Sequence, residues 1–219
     1  MKTTSILLAF SISIMIFSCN SKTKNASVTD VQPSVSAEEK ISDTQQATVK
    51  KYGIKSGIVA FETDMMGIKK KSILCFDDYG MKEAEENYKG ENVEEINLCD
   101  GKNMYNIRPK NKVAYTSGPC YRGVAYKFDW NEISKEDQNS KAKKLANMTV
   151  AGKNCESYSY DLGTSFAIYA GWDNICLYLE TKSESMNVVK KAVRLEENAV
   201  IPADKFQVPA GFEIKKSGF

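Results

Sequence analysis

Val93-Glu94-Glu95-Ile96-Asn97-Leu98-Cys99, then Asp100-Gly101, then Asn103-Met104-Tyr105-Asn106-Ile107, reads as two short strands around a turn. Ile96, Asn97 and Leu98 alternate apolar with polar, the period of an extended chain with one face against a core. The Asp-Gly dipeptide suits the positive φ of a type I′ hairpin turn. A hairpin here makes the chain mainly β, and the same rhythm continues in both directions.

Toward the N-terminus, Gly53 to Thr63 is a strand carrying Ile58, Val59 and Phe61, followed by a turn at Met66-Gly67. Lys69 to Phe76 is a second strand that ends in the turn cluster Asp77-Asp78-Tyr79-Gly80. Met81 to Tyr88 is a third, polar and solvated on one face. Toward the C-terminus, Val113 to Thr116 and Tyr121 to Phe128 continue the series, with Gly118-Pro119 between them. Asn154 to Tyr160 sets Cys155, Ser157 and Ser159 against Glu156, Tyr158 and Tyr160. Ser165 to Ala170, a turn at Asp173-Asn174, Ile175 to Thr181 and Asn187 to Leu195 follow, and Phe206 to Ile214 closes the domain around Pro209. Short strands separated by turns at this spacing indicate an antiparallel sandwich or barrel.

Glu132 to Asn147 breaks the rhythm. It lacks Gly, Pro and aromatic residues and reads as a helix. Ser134 followed by Asp137 resembles a capping box. Glu136 and Asp137 sit early and Lys141, Lys143 and Lys144 late, as the helix dipole prefers. Its apolar stripe, Ile133, Leu145 and Ala146, is thin, so the helix lies against a surface.

The N-terminus is an address. Lys2 precedes the apolar run Ile6 to Phe17, about 12 residues, too short to span a bilayer and right for a signal peptide. The run ends Ile16-Phe17-Ser18-Cys19, which resembles the lipobox of bacterial lipoproteins. That resemblance implies cleavage after residue 18 and acylation of Cys19 by a diacylglyceryl group and further chains such as palmitate. One acyl chain binds a membrane only marginally, whereas two or three hold it firmly. Cys19 is followed by Asn20, not Asp, and by no acidic run; the lipoprotein sorting rules then imply the periplasm-facing leaflet of an outer membrane.

Residues 19–51 hold no Phe, Trp, Tyr or Leu and read as a flexible tether, about 30 Å long in root-mean-square terms. All tyrosines and both tryptophans fall in 52–219, enough chain for one domain with a core of its own.

Val150-Ala151-Gly152-Lys153-Asn154-Cys155, Tyr158, Trp172, Ile201-Pro202 and Phe206-Gln207-Val208-Pro209-Ala210-Gly211-Phe212, with Ile54-Lys55-Ser56-Gly57 and Met66-Gly67-Ile68-Lys69, resemble a family of Bacteroidetes-type lipoproteins. That family is similar in fold to the LolA/LolB-like periplasmic lipoprotein carriers and receptors. The resemblance implies a strongly curved antiparallel sheet, an open half-barrel, with one helix against an apolar concave side that accepts acyl chains.

The chain has 219 residues, 30 Lys+Arg against 28 Asp+Glu, and no histidine. Lack of histidine removes Ser-His-Asp and Cys-His catalysis and His-based metal sites. The formal charge of +2 argues against a nucleic-acid partner. No phosphate loop, EF-hand loop or nucleophile elbow is visible, and no cofactor or metal is expected.

After Cys19, five cysteines remain: Cys75, Cys99, Cys120, Cys155 and Cys176. An odd number leaves at least one unpaired. In a meander, Cys155 and Cys176 lie two strands apart, too far for a disulfide; the pairing of the five is otherwise open. Asp77 and Asp78 could be paired carboxylates, but adjacent residues on a strand face opposite ways and Gly80 marks a turn. Tyr158, Tyr160, Tyr169, Trp172 and Tyr178 either line a binding surface or pack the core. Three functional readings follow: a lipid-anchored, non-enzymatic envelope protein holding an acyl chain or other apolar ligand; a structural or protein-docking module of the envelope; and an enzyme using a thiol or carboxylates.

Overall fold

In the computed structural model, residues 50–120, 142–161 and 163–217 are described. The first meander is β1 (Gly57–Met65), β2 (Ile68–Asp77), β3 (Lys82–Lys89), β4 (Asn92–Cys99), β5 (Asn103–Arg108) and β6 (Val113–Pro119). The second is β7 (Ala142–Val150), β8 (Lys153–Asp161), β9 (Ser165–Trp172), β10 (Ile175–Ser183) and β11 (Asn187–Glu197), and β12 (Glu213–Lys216) comes last. All twelve form one sheet in the order β12-β6-β5-β4-β3-β2-β1-β11-β10-β9-β8-β7. The two meanders join edge to edge through an antiparallel β1–β11 pairing, and β12 adds a parallel strand to β6.

The turns are set by local chemistry. Met66 and Gly67 both take positive φ (54° and 86°), as do Asp173 and Asn174 (49° and 61°), the backbone of the tight hairpin turns that match strand twist. The Asp64 carboxylate accepts the Gly67 N–H at 2.8 Å. At Asp100-Gly101 only Gly101 has positive φ, so the expected type I′ turn is not formed. There the Asp100 carboxylate accepts the N–H groups of Lys102 and Asn103 at 2.8 and 2.7 Å, and this side-chain cap fixes a different turn.

The sheet is open and curved. β7 and β11 are four strand spacings apart in the order, about 19 Å on a flat sheet, yet β7 folds back into contact with β11. Lys153 at the start of β8 likewise pairs with Glu197 at the end of β11. Among the described residues the edges β12 and β7 do not pair, so the sheet they form is open.

The concave side carries one apolar cluster: Val59 and Phe61 of β1, Leu74 and Phe76 of β2, and Tyr52 pack with Val150, Cys155 and Leu177 of the second meander. The back carries another, in which Cys75, Leu98, Ile107 and Ala114 are covered by Phe206, with Ile201 and Val208 packed beside it.

The curved antiparallel sheet expected from the resemblance is therefore present, and the sandwich or barrel inferred from strand spacing is not, because the meanders join side by side instead of stacking. The Glu132 to Asn147 helix is corrected where it is described. Ala142–Asn147 belongs to β7, with Ala142 opposite Tyr160 and Lys144 opposite Tyr158. Pairing and burial of that surface outweigh the helix preference of Ala, Lys and Leu, and Lys143 and Lys144 are the charges of an edge strand. The remainder of that helix and the Tyr121 to Phe128 strand lie outside the described residues. Among the described residues the helical pieces are three short 3-10 turns, and none is long and apolar enough to cross a membrane.

Candidate functional site

The β1–β2–β3 register builds the concave site. Phe61 lies opposite Ser72 and Val59 opposite Leu74; on the next strand Glu83 lies opposite Phe76 and Glu85 opposite Leu74. Directly opposed residues share a face, so two carboxylates lie beside an apolar wall. Glu83 is 0% exposed and Glu85 is 5% exposed. Charges removed from water to that degree require partners.

Glu83 Oε1 accepts from Lys51 Nζ at 2.5 Å and from the Tyr52 hydroxyl. Glu85 Oε1 accepts from Ser72 Oγ at 2.8 Å and from Lys190 Nζ of β11. Lys190 Nζ also lies 4.6 Å from the centre of the Phe61 ring.

The chain entering the fold is fixed by backbone bonds. The N–H groups of Lys51 and Tyr52 donate to Tyr79 O at 3.0 and 2.9 Å, and the Gly53 N–H donates to Asp173 O at 2.9 Å. The Tyr52 ring meets Phe76 edge-on at 4.7 Å. Gly80, at φ +84°, lies so close to that ring that a Cβ there would be 2.5 Å from it. Burial, and then the charge of Glu83, hold the Tyr52 hydroxyl well above its ordinary pKa. The arrangement pairs both carboxylates with donors beside an apolar wall.

The residues singled out from sequence fall elsewhere. Cys99 and Cys120 form a disulfide with Cα atoms 5.8 Å apart. Cys75, Cys155 and Cys176 are free thiols, and β9 separates Cys155 from Cys176 as the meander requires. Burial raises the pKa of all three thiols, and that of Cys176 is pushed up to about 12. Nucleophilic thiols need the opposite shift.

Asp77 and Asp78 form the turn, with the Asp77 carboxylate accepting the Asp78 N–H at 2.7 Å. Tyr158, Tyr160 and Tyr169 pack with Cys176, Tyr160 and Tyr169 meeting edge-on at 5.6 Å, while Trp172 and Tyr178 pack against the main concave cluster. The five aromatics thus divide between two packing groups. Among the described residues no three acidic or cysteine side chains gather to hold a metal. Cys19 lies outside the described residues.

The Glu83/Glu85 pair was missed because β3 was expected to solvate one face. Residues 83–85 are instead all buried. The available signal was Glu83-x-Glu85 on a strand, since period two places both carboxylates on one face.

No family model matches the chain, and no curated protein matches it. Solved structures share its fold. An uncharacterised conserved protein from Thermus thermophilus superposes with a TM-score of 0.52 at 8% identity, over 74% of this chain and 91% of that one. A MucB structure gives a TM-score of 0.52 at 12% identity over 76% of this chain and 62% of that one, so the chain spans less than two thirds of MucB. The Pseudomonas aeruginosa MucA/MucB complex gives 0.47 at 12% identity, over 72% and 57% of the respective chains.

Proposed function

We propose that this protein is a non-enzymatic, lipid-anchored binding protein of the cell envelope, held by Cys19 in the periplasm-facing leaflet of an outer membrane, with an apolar ligand such as an acyl chain as the occupant of its curved sheet. The observation that carries the reading is the concave wall itself. Val59, Phe61, Leu74 and Phe76 form one apolar face, 0% to 5% exposed and packed against Tyr52, Val150, Cys155 and Leu177, and the carboxylates beside it are neutralised by Lys51, Tyr52, Ser72 and Lys190. A hydrocarbon ligand that displaced those packed side chains would replace their contacts in kind, whereas an ion would not. The raised thiol pKa values and the engaged carboxylates weigh against the enzymatic reading.

Native mass spectrometry of a Cys19→Ser protein exported without its lipid tests the ligand. A lipid-sized adduct that leaves on denaturation supports the reading, and a bare mass from several preparations removes it. Radiolabelled palmitate tests the anchor: label incorporated by the parent and absent from Cys19→Ser is expected.

Protein docking is the second reading. It is favoured by the burial of Leu74 and Phe76, 1% and 0% exposed, which leaves little wall open, and by the fold shared with MucB, whose structure has been solved in complex with MucA(peri). Discrete crosslinked adducts in intact cells, with no co-purifying lipid, would select it.

A further inference from the structure

At the end of the sheet opposite the Lys51–Glu83 junction, the β8–β9 and β10–β11 turns frame a cleft of about 980 Å3, lined by Asp161, Thr164, Phe166, Lys182, Glu184 and Ser185 among others. Phe166 on β9 is the direct partner of Asp161 on β8 and of Lys182 on β10. Carboxylate, aromatic ring and ammonium therefore stand in one row on one face of the sheet. Phe166 is 42% exposed.

Asp161 accepts the Gly163 N–H at 2.8 Å through Oδ1, which leaves its second oxygen for another donor. No hydrogen bond or ion pair to another described residue engages the side chains of Thr164, Lys182, Glu184 or Ser185. Hydroxyl side chains both donate and accept, carboxylates accept and the ammonium donates. An aromatic face between such groups provides an apolar platform with a polar border.

The chemistry excludes other ligands. Asp161 and Glu184 against one lysine disfavour phosphates and other anions. Among the described lining residues an acyl chain would meet a single apolar side chain, that of Phe166, amid hydroxyls and charges. A sugar presents a C–H face for the ring and hydroxyls that give and take hydrogen bonds around it.

We propose that this cleft is a saccharide-binding site for neutral or amino-sugar glycans, with Phe166 as the stacking platform and Asp161 and Lys182 as the flanking hydrogen-bond partners. The site is separate from the concave wall and extends the binding role assigned to it.

Isothermal titration calorimetry of the full-length protein with tetrasaccharides of glucose and of N-acetylglucosamine tests it. Saturable binding of at least one, weakened about tenfold or more by Phe166→Ala, is expected. Lys182→Met, also exposed, serves in its place if Phe166→Ala does not fold. No binding of either sugar at millimolar concentration, or binding undiminished in the folded variant, overturns the proposal.

Discussion

Lys190 on β11 and Glu85 on β3 form an ion pair although β1 and β2 lie between their strands. Three strand spacings separate them, about 14 Å on a flat sheet. The pair closes because the sheet bends toward this face, and it sets the Lys190 ammonium 4.6 Å from the centre of the Phe61 ring.

Lys190→Met is accordingly expected to destabilise the fold by about 3 kcal/mol, the cost of leaving a buried carboxylate with Ser72 as its remaining partner. Urea denaturation reads it. The double variant Lys190→Met/Glu85→Leu should recover most of the loss, since apolar replacement of a whole buried pair is close to neutral. A single variant as stable as the parent would show that the pair is not formed in solution.

The disulfide and the free thiols make a second prediction. Cys99 and Cys120 are 21 residues apart, and closing a loop of that size stabilises by about 3 kcal/mol on the chain-entropy account. Reductant should lower the denaturation midpoint accordingly, and Cys99→Ser/Cys120→Ser should match the reduced parent. Peptide mapping after alkylation without reductant should find Cys75, Cys155 and Cys176 modified in denaturant only, because burial keeps these thiols protonated in the native state. Rapid native alkylation of any of the three would reopen the thiol-enzyme reading.

Gly80→Ala should be among the most damaging small substitutions in the fold. The added methyl would meet the Tyr52 ring at 2.5 Å on a backbone of φ +84°, and overpacking adds to left-handed strain for a cost of about 3 kcal/mol. Gly67→Ala, with the same sign of φ and open space around it, isolates the strain alone and should cost less. Equal thermal midpoints for the two variants would contradict the close approach of Tyr52.

Strand positions were legible because turn residues such as Met66-Gly67 and Asp173-Asn174 act locally. The joining of two meanders through β1 and β11 was not, since no local signal links Val59 to Leu195. Lys143 and Lys144 misled because charged residues that protect an edge strand look the same as those on a helix face. The concave charges were hidden for a related reason: Glu83 and Glu85 read as solvated until Lys51, 32 residues from Glu83, and Lys190, 105 residues from Glu85, are brought to them. Pairing across such distances is a property of the assembled sheet.

Alkaline pH should unfold this protein through its tyrosines. Tyr52 is held well above 10.0 by burial and then by Glu83, and Tyr88 and Tyr178 are pushed to about 12 by burial and then by their hydrogen bonds to Glu86 and Glu180. In the unfolded chain all three ionise near 10.0. Above that pH the unfolded chain releases protons that the folded protein retains, so the stability these groups carry is complete below pH 10.0 and lost as pH rises through their folded values. Urea midpoints measured through the alkaline range should therefore fall. Tyr52→Phe removes the hydroxyl bond to Glu83, which should lower stability at neutral pH by about 2 kcal/mol, the worth of a hydrogen bond to a charged group. The same variant should show a shallower alkaline decline, because one of the three titrating phenols is gone. A decline as steep as the parent's would place the proton release elsewhere.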